Sequence, residues 1–148
     1  MSRLTHVDSK GEARMVDVSG KPVQHREAVA QGEVRLQQST IDLIQSDKIA
    51  KGNVLATARV AGIQAAKRTG ELIPLCHPLP ITHCEVNFEL GAEQIIITAS
   101  AKIAAQTGVE MEALTAVAVS ALTIYDMCKA VDKQMRISEI KLISKTKK

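Results

Sequence analysis

A thiol and an imidazole stand side by side in the segment LIPLCHPLP, residues 72–80. Cys76 and His77 are surrounded by three prolines, which are Pro74, Pro78 and Pro80. Because proline fixes its own φ angle and disfavours helical conformation in the preceding residue, we expect this segment to be rigid and extended. A rigid arm presents an imidazole to a polar ligand without the entropic cost of ordering a loop at each turnover.

A second candidate for chemistry is an acid and an amine, Asp126 and Lys129, spaced three residues apart. On a helix this spacing places both side chains on one face, where they can form an ion pair. The pair directly follows a run of residues without charge, so we expect partial desolvation and the shifted pKa values that proton transfer near neutral pH requires. The alternative is an ordinary ion pair on a solvated turn, and the spacing alone does not exclude it.

Three further charged residues belong with these candidates. Glu110 and Glu112 flank Met111 at the start of the same predicted helix. Glu110 is expected to complete a capping box with Thr107, whereas Glu112 lies at the positive end of the helix dipole without a capping role. Lys51 precedes a glycine at a predicted hinge, where a lysine side chain is by default solvated.

The spacing of the cysteines and histidines disfavours two other kinds of site. Cys76, His77, His83 and Cys84 form a CH-x5-HC pattern, whereas structural zinc sites prefer ligands roughly two to four residues apart. Adjacent side chains on an extended chain diverge, so Cys76 and His77 do not form a nucleophile–base couple either. The sequence also contains no glycine-rich phosphate loop and no dinucleotide-binding fingerprint.

Composition limits the class of protein further. The chain has 148 residues, enough for one domain, and an aromatic content of 1% that leaves no stacking platform for single-stranded nucleic acid. The net charge of +3 suits a small anionic ligand at least as well as a polymer. Three cysteines without a CxxC pair indicate free thiols, and no apolar run near the N-terminus resembles a signal peptide. We therefore expect a cytoplasmic protein that binds neither nucleic acid nor a membrane.

The elements that must position these residues follow from hydrophobic periodicity. Residues 1–31 have no clear period and predict an irregular N-terminal arm, and residues 32–148 predict a single domain. Strands are predicted at 32–37, 81–90, 94–103 and 136–144, and helical stretches at 39–49, 53–70 and 107–133. This β-α-β-β-α-β order with a broken first helix predicts an α+β, ferredoxin-like fold, in which a four-stranded antiparallel sheet carries its helices on one face.

Helix ends are predicted from capping signals. Ser39, three residues before Asp42, resembles a capping box at the start of the first helical stretch. The second stretch is expected to begin at an Asn53 cap and to stop at Gly70.

The last helix has no charged residue between Ala113 and Tyr125. A helix that is apolar on every side is buried on every side, yet one sheet covers only one of its sides. We expect the other side to contact another subunit, and the alternative is burial under the N-terminal arm.

Three segments together resemble one enzyme family, molybdenum cofactor biosynthesis protein C, the cyclic pyranopterin monophosphate synthases. They are KGNVLATARVAGIQAAKRTGELIPLCHPLPIT (51–82), TGVEMEALTAVAVSALTIYDMCKAV (107–131) and MVDVSGK (15–21). The resemblance runs from about Leu4 to Lys145. It implies a ferredoxin-like fold and a homohexamer, a trimer of dimers, with active sites at subunit contacts.

The resemblance also implies a reaction. A lyase of this family converts 3',8-cyclo-7,8-dihydroguanosine 5'-triphosphate to cyclic pyranopterin monophosphate and diphosphate. Carried over by position, Asp126 would be the catalytic acid/base with Lys129 and Lys51 as cationic companions. The substrate pocket would be lined by Leu75, Cys76, His77, Met111 and Glu112. Our own hypothesis adds that Lys51 serves the phosphates while the Asp126–Lys129 pair serves proton transfer.

Two questions stay open at this stage. No resident cofactor is firmly predicted, and Mg²⁺ accompanying the triphosphate is the one metal under consideration. The alternative function is a ferredoxin-like module that binds or senses a nucleotide without transforming it. That alternative predicts Asp126 and Lys129 exposed with ordinary pKa values, whereas the lyase predicts that they face a basic pocket together with His77.

Overall fold

The computed structural model describes residues 5–148 and confirms the ferredoxin-like arrangement. The strands are β1 (Gln24–Arg35), β2 (His83–Leu90), β3 (Gln94–Ala105) and β4 (Arg136–Lys147). The helices are α1 (Gln38–Gln45), α2 (Val54–Lys67), α3 (Thr69–Leu72) and α4 (Glu110–Cys128). The four strands form one antiparallel sheet in the order β2-β3-β1-β4.

The core lies between one face of this sheet and the two long helices. Alternate residues of the central strands β1 and β3 are buried, and they are mostly alanine, valine and isoleucine. Helix α2 lies against Val86 of β2, and α4 lies against Gly32 of β1. Val86 and Gly32 belong to the same sheet face, because Val86 pairs with Ala99 and Gly32 with Ile97, two buried residues of β3. Both helices therefore cover one face of the sheet, as predicted.

Strand β1 begins much earlier than the sequence indicated. The predicted start was Gly32, with everything before it assigned to the irregular arm, but the strand starts at Gln24. Polar side chains such as Arg26 and Glu27 obscure the alternation in this stretch. The strand forms because it is central: hydrogen bonds to β3 on one side and β4 on the other satisfy its backbone along its whole length.

Both predicted capping boxes are wrong. Helix α1 starts at Gln38, and the Ser39 hydroxyl bonds the side chain of Gln37 instead of the helix backbone. The buried carboxylate of Asp132 takes the capping role from a distant part of the chain. It accepts hydrogen bonds from the Gln37 backbone N–H at 2.9 Å and from the Thr40 hydroxyl at 2.8 Å.

The second wrong box is at α4, which starts at Glu110 after Val109 and has no side-chain cap from Thr107. The Glu110 carboxylate instead lies 3.6 Å from the Lys145 ammonium group. In contrast, the Asn53 cap of α2 is confirmed, because its side-chain oxygen accepts the Ala56 N–H at 2.9 Å.

Helix α4 is long and apolar enough to cross a membrane by length and composition alone. Ten of its residues are buried inside the domain, as in the core helix of a globular protein. One side remains uncovered: Leu122 of α4 is 59% exposed, and Val60 of α2 is 55% exposed. The helix is therefore not buried on every side within residues 5–148, and the part of the N-terminal arm that the structure describes does not cover Leu122.

The contact between α2 and α4 depends on a missing side chain at Gly62. A Cβ atom at this position would lie 2.2 Å from the Ser120 hydroxyl and 2.9 Å from the Ala116 carbonyl oxygen. We expect Gly62→Ala to destabilise the fold by about 2–3 kcal/mol, because overpacking pushes the two helices apart. Thermal unfolding should show a melting temperature lower by roughly 5 °C or more.

Gly20→Ala is the matched control for this prediction. Gly20 has no atom within 4 Å of an added Cβ and no positive φ angle. Its substitution should leave the melting temperature unchanged. If both variants melted together with the wild type, the helix contact at Gly62 would be looser than the structure indicates.

Candidate functional site

A cleft of about 470 Å³ opens at the N-terminal end of α4. The proline-rich segment, the loop before α4 and the N-terminal arm form its walls. Its lining residues include Lys21, Leu75, Cys76, His77, Gly108, Glu110 and Met111. Four of the five predicted substrate-binding residues thus line one cleft, and the fifth, Glu112, lies behind Cys76.

The proline-rich segment is less extended than predicted. Pro74 is the second residue of a turn that closes with a hydrogen bond from the Cys76 N–H to the Ile73 carbonyl at 3.1 Å. Only the residues after this turn run without regular structure toward β2. Gly70 does not stop α2, which ends at Lys67; it lies in α3, where a Cβ would come within 2.8 Å of the Pro78 Cα atom. The glycine therefore lets α3 approach the proline segment.

The N-terminal arm holds the imidazole of His77 in place. The Val16 carbonyl lies 2.6 Å from His77 Nε2, and a carbonyl can only accept, so Nε2 carries the proton. In the neutral ring Nδ1 is then left as an acceptor. A second contact ties the arm to the loop before α4, where the Gln106 side chain donates to the Ser19 carbonyl at 3.2 Å.

Glu112 is a buried carboxylate, with 1% of its surface exposed. Its Oε2 atom lies 3.9 Å from the Cys76 thiol, which donates a weak hydrogen bond. Its Oε1 atom is the buried side-chain oxygen that lacks a hydrogen-bond partner within residues 5–148. Burial raises the pKa of Glu112 above the usual range of a carboxyl group. An unpaired, desolvated carboxyl group behind the cleft wall is suited to bind N–H groups of a ligand or to hold a proton.

The three cysteines are free thiols. Burial, followed by the nearby carboxylates of Glu112 and Glu110, raises the pKa of Cys76. Burial also raises the pKa of Cys84, and that of Cys128 to about 11. All three are protonated at neutral pH and are weak nucleophiles. In the described part of the chain, no three His, Cys, Asp or Glu side chains come together as a metal site would require.

Asp126 stands between two lysines at the other end of α4. Its Oδ1 atom is 2.9 Å from the Lys129 ammonium group, and its Oδ2 atom is 3.0 Å from that of Lys51. Lys51 also donates to the Asp126 backbone carbonyl at 3.2 Å. The structure thus brings together all three predicted catalytic residues, which we call the Asp126 triad.

The protonation behaviour expected for the Asp126 triad is wrong in the isolated chain. The side chain of Asp126 is 55% exposed. Hydrogen bonds from Lys129 and then Lys51 lower the pKa of Asp126, and the hydrogen bond to Asp126 raises the pKa of Lys129. Both pKa values move away from neutrality, because the ion pair favours the charged forms and desolvation opposes it only weakly. A further change of environment is needed before this pair can exchange protons near pH 7.

A single chain also keeps the Asp126 triad apart from the cleft. Met111 and Asp126 lie on the same helix, separated by about 22 Å along its axis at 1.5 Å per residue. The expectation that Asp126 and Lys129 face a pocket with His77 is therefore wrong for one chain. A site that contains both groups requires residues from two chains.

Several cleft residues were not among the predicted site residues. Lys21, Gly108 and Glu110 line the cleft, and Val16 holds His77. The MVDVSGK segment could have indicated a role for this stretch, because it is one of the segments that resemble the family. It lies, however, within the predicted irregular arm.

Comparisons with known proteins agree over nearly the whole chain. A model of the MoaC family matches residues 15–148. A protein of Thermomicrobium roseum is 57% identical over 147 residues, covering 98% of this chain and 89% of its own length. Proteins of Parvibaculum lavamentivorans and Chloroflexus aurantiacus are each 58% identical over 146 residues, covering 97% of this chain and 91% and 90% of their own lengths. All three are named cyclic pyranopterin monophosphate synthase.

Proposed function

Because this chain belongs to the MoaC family, we propose that it is a cyclic pyranopterin monophosphate synthase, a lyase of molybdenum cofactor biosynthesis. Its substrate is 3',8-cyclo-7,8-dihydroguanosine 5'-triphosphate, and its products are cyclic pyranopterin monophosphate and diphosphate. The observation that carries this conclusion is the 57–58% identity to enzymes of this name over almost the full length of the chain.

The final part of the reaction is an internal phosphoryl transfer. A sugar hydroxyl attacks the α-phosphorus, a new P–O bond closes the cyclic phosphate, and the bond between the α- and β-phosphates breaks. The hydroxyl proton passes to a base, and the bonding electrons leave with diphosphate. Positive side chains stabilise the negative charge that accumulates as diphosphate leaves, and we assign this role to Lys51 beside the phosphates.

The active site is composed of two subunits in this proposal. One chain supplies the cleft with His77 and Glu112, and its neighbour supplies the Asp126 triad. Two observations support this division: the groups lie at opposite ends of α4, and the helical surface marked by Val60 and Leu122 remains apolar and open. Docking a neighbour there would also desolvate Asp126 and Lys129, the change that their pKa values require before they can transfer protons.

We assign recognition of the guanine-derived ring to Glu112, which lies behind the cleft wall and would meet the ring once the Cys76 side chain moves aside. Its unpaired Oε1 can accept hydrogen bonds from ring N–H and amino groups. His77, fixed by Val16, presents Nδ1 as an acceptor. Leu75, Cys76 and Met111 complete the wall, and the protonated thiol of Cys76 is not a nucleophile.

We further propose a homohexamer, built as a trimer of dimers, that works in the cytoplasm. The free thiols agree with a reducing compartment. Light scattering of the purified protein tests the assembly, and a stable monomer that turns over substrate would contradict it.

The function is tested directly with the purified protein and synthetic cyclic dihydroguanosine triphosphate. We expect stoichiometric release of diphosphate together with cyclic pyranopterin monophosphate, identified by mass spectrometry. GTP is the control, because it carries the same triphosphate but lacks the bond between the sugar and C8. A binding module without catalysis would bind the substrate and release no diphosphate, which would refute the lyase.

A further inference from the structure

A short segment of the N-terminal arm forms one wall of the cleft. We call residues 16–21 the cleft strap, and they belong to neither a helix nor a strand. Val16, Val18 and Lys21 of the strap line the cleft. Val16 and Val18 are half-buried, whereas the other four strap residues are exposed. Because the strap buries little apolar surface, polar contacts must largely hold it in place.

Two hydrogen bonds join the cleft strap to the rest of the domain within residues 5–148. One is the bond from His77 Nε2 to the Val16 carbonyl at 2.6 Å. The other is donated by the Gln106 side chain to the Ser19 carbonyl at 3.2 Å. The two acceptors are three residues apart on one short segment, so we expect release of one contact to weaken the other.

A turn inside the cleft strap connects these two contacts. Asp17 Oδ1 accepts hydrogen bonds from the Ser19 hydroxyl at 2.6 Å and from the Ser19 backbone N–H at 2.9 Å. These two bonds lower the pKa of Asp17, so its carboxylate stays ionised at neutral pH. The Lys21 N–H also donates to the Val18 carbonyl at 3.0 Å. The strap is therefore an internally bonded unit whose two ends move together.

Gln106 is anchored at its backbone and reaches the strap with its side chain. It directly follows the last residue of β3. Its backbone carbonyl accepts a hydrogen bond at 3.2 Å from Nη2 of Arg26, a residue of β1. The two central strands thus fix the backbone of Gln106, which suits its side-chain amide to set the position of an exposed segment.

We propose that Gln106 is a positioning residue, which holds the cleft strap in place so that the strap fixes the ring of His77. With the strap in place, the Val16 carbonyl keeps the proton on Nε2 and leaves Nδ1 as an acceptor for a ligand in the cleft. This assignment rests on the proposed function, because it takes the cleft to be the substrate site. When the bond from Gln106 is lost, the imidazole is free to rotate and to exchange tautomers, and fewer chains are ready to react.

The test compares Gln106→Met with Gln45→Met in the assembled protein. Methionine is unbranched like glutamine and lacks the N–H donor, so it removes the bond to Ser19 with little change in volume. Gln45 is an exposed glutamine of α1 that does not line the cleft, and its substitution is the matched control. Hydrogen exchange, followed by mass spectrometry, should be about tenfold faster in the strap of Gln106→Met and unchanged in Gln45→Met.

The ¹⁵N NMR signals of the histidine rings separate a positioning role from a merely structural one. At alkaline pH, wild-type His77 should show one neutral tautomer with the proton on Nε2, whereas Gln106→Met should show a mixture. The spectrum of His77→Ala identifies the signals of this ring. The kcat of Gln106→Met should fall about tenfold, with a melting temperature close to that of Gln45→Met.

Unchanged strap exchange, tautomer and kcat in Gln106→Met would overturn the proposal. A strap that exchanged faster while His77 kept one tautomer and kcat stayed at the wild-type value would also overturn it, because the strap would then not fix the ring. Hydrogen exchange and NMR do not require turnover. If the wild type released no diphosphate, yet Gln106→Met loosened the strap and mixed the tautomers, only the proposed function would be refuted.

Discussion

Mixing two inactive variants, His77→Ala and Asp126→Asn, is expected to restore turnover. Each variant alone should lose about 10²–10⁴-fold in kcat, because one lacks the imidazole of the cleft and the other lacks the acid/base of the triad. A mixed dimer, however, combines the intact cleft of one chain with the intact Asp126 triad of the other. In each isolated dimer of one His77→Ala chain and one Asp126→Asn chain, one of the two sites is complete, so about half of the wild-type activity should return.

The measurement is diphosphate release after co-expression of the two differently tagged variants and isolation of the mixed oligomer. The control is a mixture of His77→Ala with Glu112→Gln. Both changes damage the cleft, so no mixed dimer contains a complete site and the mixture should stay inactive. If the mixture of His77→Ala and Asp126→Asn also stayed inactive, although mixed oligomers had formed, the two-subunit site would be wrong. Near-normal turnover by assembled Asp126→Asn alone would instead remove Asp126 from catalysis.

Glu112→Gln should abolish most activity and at the same time stabilise the protein at neutral pH. The side chain is buried with an unpaired oxygen, so its ionised form is costly in the absence of substrate. Glutamine has nearly the same shape and no charge, and we expect a gain of about 1–2 kcal/mol, or a melting temperature higher by roughly 2–5 °C. Turnover should fall about 10²-fold or more, because glutamine cannot supply two acceptor oxygens or hold a proton.

The stabilisation by Glu112→Gln should depend on pH, and the raised pKa of Glu112 determines the direction of that dependence. Burial raises the pKa of Glu112 in the folded protein above the unfolded value of 4.5, so the folded state binds the proton more tightly. The resulting stabilisation is complete below the unfolded pKa and is lost as pH rises through the folded pKa. The advantage of Glu112→Gln should therefore be small at pH 4 and grow toward pH 8. Glu89→Gln, an exposed change on the outer sheet face, is the control and should show no such trend.

Much of the architecture could be predicted from local sequence patterns, namely strand alternation and helix caps. Strand β2 alternates polar and apolar residues because one of its faces lies under α2, and the predicted boundaries were within two residues of the observed ones. The Asn53 cap was also correct, since its partner is the N–H of Ala56, three residues away. These interactions join neighbours in sequence, so the sequence itself specifies them.

The predictions that were wrong, the two capping boxes and the start of β1, have a common physical cause. Helix α1 is capped by Asp132 from beyond the last helix, and Glu110 turns toward Lys145 instead of capping its own helix. The start of β1 is set by strands on both sides, not by its own alternation. In each case the group interacts with residues that are distant in sequence, and a local sequence pattern does not predict such contacts.

The same distinction applies to the site. By itself, the sequence determined which residue types could serve as acid, base and phosphate ligand, and through its motifs it determined the family. Only the tertiary structure decided that His77 and Asp126 stand at opposite ends of α4, and that the Oε1 atom of Glu112 is buried without a hydrogen-bond partner among residues 5–148. These relations depend on strand register and helix packing, which are set by contacts across the whole chain and not by the order of neighbouring residues.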